Sequence, residues 1–174
     1  MINQEKSATT PKHSISQICV VVRDIDRSME EYSRRLGWGP WNVYEYGAPL
    51  LHDTYLRGVP EPYTMIGAET KVGELGFELI QPTSGLSIYQ EFLDAHGEGV
   101  QHLAVMKHSR DESDALTLDV GVPKLMGGFI GESIEYYYLD TDGPLKVVIE
   151  SGTGHAIDLE PSRVFDITKP GYRG

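Results

Sequence analysis

Apolar positions recur along this chain at two periods, and the switches between them mark out its elements. Ile15 to Val22 is a β-branched run whose period-2 pattern puts Gln17, Cys19 and Val21 on one face of a strand and Ile18, Val20 and Val22 on the other. The period then becomes helical: Ile25, Met29, Tyr32 and Leu36 share a face, Asp24 or Asp26 supplies the cap, and Gly37 the stop. Trp41 to Tyr46 predicts a second strand. Ala48 to Pro62, with three prolines, predicts a long loop bordering a site. Tyr63 to Val72 and Gly73 to Gln81 predict a hairpin, whose second arm carries Glu78 among apolar neighbours.

A short helix follows, with Ile88, Phe92 and Leu93 on one face and Gly97 just past its end. The same order of elements then returns. Val100 to Met106 is a strand with His102, Ala104 and Met106 on one face, and Asp111 to Val120 is a helix ended by Gly121 and Pro123. Lys124 to Ile130, Ser133 to Leu139 and Leu145 to Ser151 are three more strands, with Asp142-Gly143 as a hairpin turn between the last two. A β-α-β-β-β order appearing twice predicts an α+β fold of two similar modules. Residues 1–13 read as a frayed extension, 14–152 as one domain (modules 14–82 and 99–152 around a connecting helix at 84–97), and 153–174 as a polar tail.

The repeat has a chemical consequence, because equivalent positions of two similar modules face the same space. Superposing the first strands sets Gln17 over His102, and superposing the last strands sets Glu78 over Glu150. A lone Gln or His in a strand is more often a hydrogen-bonded core group than a ligand, and a lone Glu is often solvated. Four donors at matching places in two halves make that reading much weaker, since burying such groups is costly unless something binds them. His52, His96, His108 and His155 fall in loops or at element ends and read as solvated, while Tyr136 to Tyr138 read as strand packing.

Composition narrows the classes of function. With 174 residues, 40% of them hydrophobic and 24% charged, the chain supports a single core of ordinary size or two fused small ones. The longest apolar run, Ile18 to Val22, is far too short to span a membrane, and the polar N-terminal stretch does not resemble a secretory signal. The lone Cys19 excludes an internal disulfide and suits a reducing cytosol, so a cytoplasmic location is expected. A formal charge of -11 without a basic stripe argues against nucleic acid, and more weakly against a highly anionic substrate such as an acyl-CoA. No Gly-rich nucleotide loop is present.

The tracts Ile18 to Tyr32 (ICVVVRDIDRSMEEY), Phe77 to Pro82 (FELIQP), Gly99 to Val105 (GVQHLAV) and Val147 to Glu150 (VVIE) resemble the vicinal oxygen chelate superfamily. That superfamily holds glyoxalase I, methylmalonyl-CoA epimerase, extradiol dioxygenases and bleomycin-resistance proteins. The tract from Glu78 through the helix to His102 is most similar to the epimerase branch. The resemblance, which covers about Ile15 to Ser151, implies a cupped eight-stranded mixed sheet with a divalent metal bound by Gln17, Glu78, His102 and Glu150.

Three oxygen donors and one imidazole suit Zn, Co, Ni, Mn or Mg, and such an ion would stabilise an enolate at the carbon next to a substrate carbonyl. By the resemblance Glu150 is the expected base. Epimerases of this type use a second glutamate on the third strand, where this chain offers Glu61 after a register shift, Tyr63, or a water. Trp38, Trp41, Tyr44, Tyr46, Tyr55 and Tyr63 are expected near the mouth of the site, which admits an aromatic ketone, as in isoflavanone racemases, beside an acyl-CoA thioester. The expected function is therefore a metal-dependent epimerase or racemase on a small-molecule carbonyl substrate. A glyoxalase I-like lyase, an extradiol-type dioxygenase and a non-catalytic resistance protein are the alternatives. Relatives of this fold bury sheet edges by pairing, so a homodimer is expected.

Overall fold

β1 (Gln17–Val21) passes within four residues into α1 (Ile25–Leu36). The Asp24 side chain caps the helix by accepting the Arg27 N–H at 3.0 Å, and Gly37, at φ 70, closes it with its N–H on the Ser33 carbonyl at 3.0 Å. Ile25 and Met29 are buried as the helical period predicts, but Leu36, the last residue of the helix, is 55% exposed. Ser33 is buried in its stead, accepting from Trp41 Nε1 at 2.9 Å and donating to the Trp38 carbonyl at 2.8 Å. The computed structural model describes residues 12–107, 109–153 and 159–169. Most of the expected extension at 1–13, and His108 and His155, therefore lie outside the described residues.

The remaining elements are β2 (Trp41–Tyr46), β3 (Leu51–Leu56), β4 (Val59–Pro60), β5 (Thr64–Val72), β6 (Leu75–Ser84), α2 (Ile88–His96), β7 (Gly99–Ala104), α3 (Arg110–Val120), β8 (Lys124–Ile130), β9 (Ile134–Leu139), α4 (Asp142–Leu145), β10 (Val148–Thr153) and β11 (Arg163–Phe165). Among the described residues, all strands form one mixed sheet in the order β11-β2-β5-β6-β1-β7-β10-β9-β8-β3-β4. β1 lies parallel to β6, β7 lies parallel to β10, and β1 and β7 pair antiparallel at the seam between them.

The sheet has eleven strands where eight were expected, and the additions explain the difference. Ala48 to Pro62 is not a loop: β3 pairs with β8 through a bulge, with Asp53 and Arg57 at positive φ, and Pro60 falls on the edge strand β4, where a missing N–H costs nothing. Asp142-Gly143 does not form a two-residue hairpin, since Pro144 and Leu145 continue into a single helical turn before β10. In the C-terminal segment, Arg163–Phe165 pairs with β2, and Arg163 forms an ion pair with Asp26 of α1.

The strand order forces the sheet to curl. β2 stands second from one edge and β3 second from the other, eight intervals apart, which in a flat sheet is about 38 Å at the usual strand spacing. Tyr46 and Leu51, which end β2 and begin β3, are joined by a segment that reaches at most about 18 Å. The sheet must therefore bend back on itself and enclose a concave face. α1 packs on the outer face of the first half, where Val20, Val22, Met29, Trp41 and Leu79 form one core. The inner face carries a second core that includes Cys19, Tyr46, Ile80, Tyr89 and Tyr138, with α2 packed against it.

Candidate metal centre

Strand register brings four donor side chains to adjacent strands of the concave face. Cys19 of β1 lies opposite Glu78 on β6 and opposite His102 on β7, and Glu150 of β10 lies opposite Ala104 of β7, which in turn faces Gln17. His102 Nε2 is 3.2 Å from one Glu150 carboxylate oxygen and 3.6 Å from one Glu78 oxygen. The ligand atoms of Cys19, Glu78 and His102 all lie within 4.8 Å of one another. Room for this cluster is left by Gly67, where a Cβ would stand 2.9 Å from the Tyr46 ring and 3.7 Å from Glu78 Oε1.

The protonation pattern is set by hydrogen bonding. His102 Nδ1 sits 2.7 Å from Gln101 Oε1, an acceptor, so the Nδ1 proton is held there and Nε2 points at the carboxylates. Nε2 is buried and has no hydrogen-bond partner among the described residues, although two carboxylates stand beside it. Such an atom needs a positive body between itself and those oxygens, either a proton or a cation. Burial opposes charge on the imidazole, but the Glu150 carboxylate beside Nε2 outweighs it and holds the His102 pKa above the ordinary range. Burial pushes the Glu78 carboxyl up, as does Glu150, and burial pushes the Cys19 thiol up. Glu69 on β5, the register partner of Glu78, is raised to about 8 by burial and by the negative charges of Glu78 and Glu150.

A network of phenols supports the acids. Tyr138 donates to Glu150 Oε1 at 3.0 Å and accepts from the Tyr89 hydroxyl at 2.6 Å, while the Tyr63 and Tyr136 hydroxyls share a bond of 2.7 Å. Burial raises the pKa of all four phenols, so they remain donors. The centre opens into a cavity of about 850 Å³. Its lining includes the carboxylates Glu69, Glu74, Glu78 and Glu150, with Lys71 the one basic residue among the described lining residues.

The structure thus brings Glu78, His102 and Glu150 together and places Gln17 on the cavity wall, with its side chain over Gly76. Glu61 lies away from the cavity, its N–H on the Thr54 carbonyl at 3.0 Å. Tyr63 is buried behind Tyr136 rather than lining the cavity. Of the aromatic residues expected at the mouth, Tyr44 and Tyr46 line the cavity, while Trp38 and Trp41 pack with Tyr32 and Phe77 against α1. Tyr136 and Tyr138 do more than pack, since both face the cavity. His52 stacks on Phe129 with Nε2 at 2.8 Å from the Gly131 carbonyl, and His96 packs at a tilt against Phe92. Cys19, Glu69 and Gln101 were not anticipated. Period-2 alternation does put Cys19 on the face of Gln17, and Glu69 on the face of Met65 and Gly67.

The sequence model of the Glyoxalase/Bleomycin resistance protein/Dioxygenase superfamily matches residues 16–138. No curated protein matches the chain in sequence. Among solved structures, the chain is similar to a hypothetical protein from Bacillus halodurans C-125, with 18% identity, 83% of this chain and 96% of that one covered, and a TM-score of 0.59. It is similar to methylmalonyl-CoA epimerase from Mycobacterium tuberculosis, with 18% identity over 85% of this chain and 94% of that one at a TM-score of 0.56. A Streptomyces coelicolor methylmalonyl-CoA epimerase variant in complex with 2-nitronate-propionyl-CoA gives 22% identity over 83% of this chain and 99% of that one, at a TM-score of 0.58.

Proposed function

Because the chain belongs to the Glyoxalase/Bleomycin resistance protein/Dioxygenase superfamily, we propose that it is a divalent-metal-dependent epimerase or racemase that removes and returns a proton at the carbon next to a carbonyl. The observation that carries this reading is the buried, partnerless Nε2 of His102 facing the carboxylates of Glu78 and Glu150. The donor set fits a divalent cation: one imidazole in the correct tautomer, two convergent carboxylates, and the Gln17 amide on the same wall. The chemistry such an ion supplies when bound is polarisation of a carbonyl, which acidifies the neighbouring C–H.

The chain's own groups handle the proton. Glu150 takes it, oriented by the Tyr138 hydroxyl on Oε1, and the Tyr89–Tyr138 relay keeps that hydroxyl pointed at the carboxylate. Glu69 is the second proton carrier in this proposal. It lines the same cavity as Glu78 and Glu150, and burial, with the charges of those two carboxylates, raises its carboxyl to about 8 in the metal-free chain.

The solved neighbours include epimerases crystallised with acyl-CoA compounds, but the cavity here favours the other substrate class. Lys71 is the one basic residue among the described lining residues, too little to hold the phosphates of a CoA, whereas Tyr44, Tyr46 and Tyr136 offer ring surface to an uncharged aromatic ketone. The test is turnover in D₂O by the metal-loaded full chain, with single enantiomers of aromatic ketones and of acyl-CoA thioesters followed by NMR and chiral chromatography. Deuterium entering next to the carbonyl with loss of optical purity, and for the ketones foremost, is the expected result. A product that has gained oxygen atoms, or no exchange with any substrate at full metal occupancy, overturns the proposal.

A further inference from the structure

The seam of the sheet holds two rungs related by the antiparallel pairing of β1 and β7. One rung sets Gln17 against Ala104, beside Glu150; the other sets Cys19 against His102, beside Glu78. The rungs therefore match in their carboxylates and in their Gln17 and His102 positions. They differ at the inner position, which is the methyl group of Ala104 in one and the thiol of Cys19 in the other.

A buried cysteine is ordinarily a small apolar filler, and exposure alone does not distinguish the two roles. What distinguishes them here is the company. Cys19 is completely buried and its sulfur lies within 4.8 Å of ligand atoms of both Glu78 and His102. The His102 Nε2 aimed into that same group has no hydrogen-bond partner, while its Nδ1 is tied back to Gln101. Resting on the reading that this centre holds a divalent cation, we propose that Cys19 is a ligand of that cation. The centre is then a mixed sulfur, nitrogen and oxygen site that selects thiophilic borderline ions such as Zn²⁺ or Co²⁺ over the hard ions Mg²⁺ and Mn²⁺.

The chain makes the test unusually clean, because Cys19 is its one cysteine and any thiolate signal belongs to it. The metal-stripped full chain is titrated with Co²⁺ under a non-thiol reductant, and its absorption spectrum is recorded. The expected result is a near-ultraviolet sulfur-to-cobalt charge-transfer band that saturates at one ion per chain and is absent from Cys19→Ser and Cys19→Ala. In competition titrations Cys19→Ala is expected to lose about tenfold or more in Zn²⁺ affinity while its weak Mg²⁺ affinity is retained. If the variants fail to fold by circular dichroism, the wild-type spectrum decides alone. Stoichiometric cobalt binding without the band, or unchanged Zn²⁺ over Mg²⁺ selectivity in a folded Cys19→Ala, overturns this inference and leaves the metal-dependent reading standing. Failure of the wild-type chain to bind any of these ions overturns both.

Discussion

Replacing Glu69 by glutamine removes a carboxyl that folding forces into an acidic neighbourhood, and the effect is calculable. The carboxyl moves from an ordinary 4.5 to about 8 through burial and the charges of Glu78 and Glu150. A folded-state pKa above the unfolded one means that the folded chain holds the proton more tightly. The associated stability is therefore fully present below about pH 4.5 and is lost as pH rises through about 8. A span of about 3.5 pH units at roughly 1.4 kcal/mol each gives an upper bound of about 5 kcal/mol. Because Glu69 lines the cavity and keeps some contact with solvent, screening brings the loss down to about 2–3 kcal/mol. Urea unfolding of the metal-stripped chain at a series of pH values between 4.5 and 9 measures it directly. The wild type is expected to lose stability across that window, and Glu69→Gln, which keeps the volume without the charge, to show a markedly flatter profile. Identical profiles for the two proteins would refute the assignment of Glu69 as the buried proton carrier.

Gln101→Leu removes the acceptor that holds the His102 Nδ1 proton, and Zn²⁺ affinity by calorimetry is expected to fall about 10–100-fold while the fold is kept; unchanged affinity would show that the tautomer is set elsewhere. A Cβ at Gly152 would collide with the backbone carbonyl of Glu135 on β9, so Gly152→Ala is expected to cost about 3 kcal/mol and to lower the melting temperature by roughly 10 °C in a thermal scan. The edge strands β4 and β11 carry the exposed side chains Val59 and Val164, and a homodimer mass by light scattering at micromolar concentration is expected; a monomer mass would count against it.

The elements whose signal is local were legible in the chain. Asp24 and Gly37 bracket α1 with a cap and a stop that work in any context, and Trp41 to Tyr46 is rich enough in aromatic and β-branched residues to be recognised without its partners. β3 was hidden because its pattern is broken by a bulge and by two non-glycine residues at positive φ, which only pairing with β8 stabilises. β11 is three residues long and exists only because β2 offers it an edge. The donors were legible where residue type spoke for them: Glu78, His102 and Glu150 are polar groups inside apolar runs. Cys19 gave no such signal, since a cysteine inside Ile-Cys-Val-Val-Val looks like one more apolar residue. Glu69 was concealed by Thr70 and Lys71, which make the end of β5 look like an exposed strand terminus, although its pairing with Glu78 turns its carboxyl toward the cavity.

The strap formed by β3 and β4 has a consequence for the order in which the protein is made. β3 leaves the first half of the chain, yet its partner is β8, so Leu56 waits for Met126 and Leu51 for Ile130. At about 5–20 residues per second a ribosome needs roughly 4–15 seconds to deliver those partners. Throughout that interval the nascent chain carries a strand with one unpaired edge in the crowded surroundings of synthesis. The bulge between His52 and Tyr55, with Asp53 at positive φ, breaks the regular ladder of that edge and makes it a poor template for a foreign strand. The irregularity that hid this segment in the sequence also keeps it unattached until the right strand emerges.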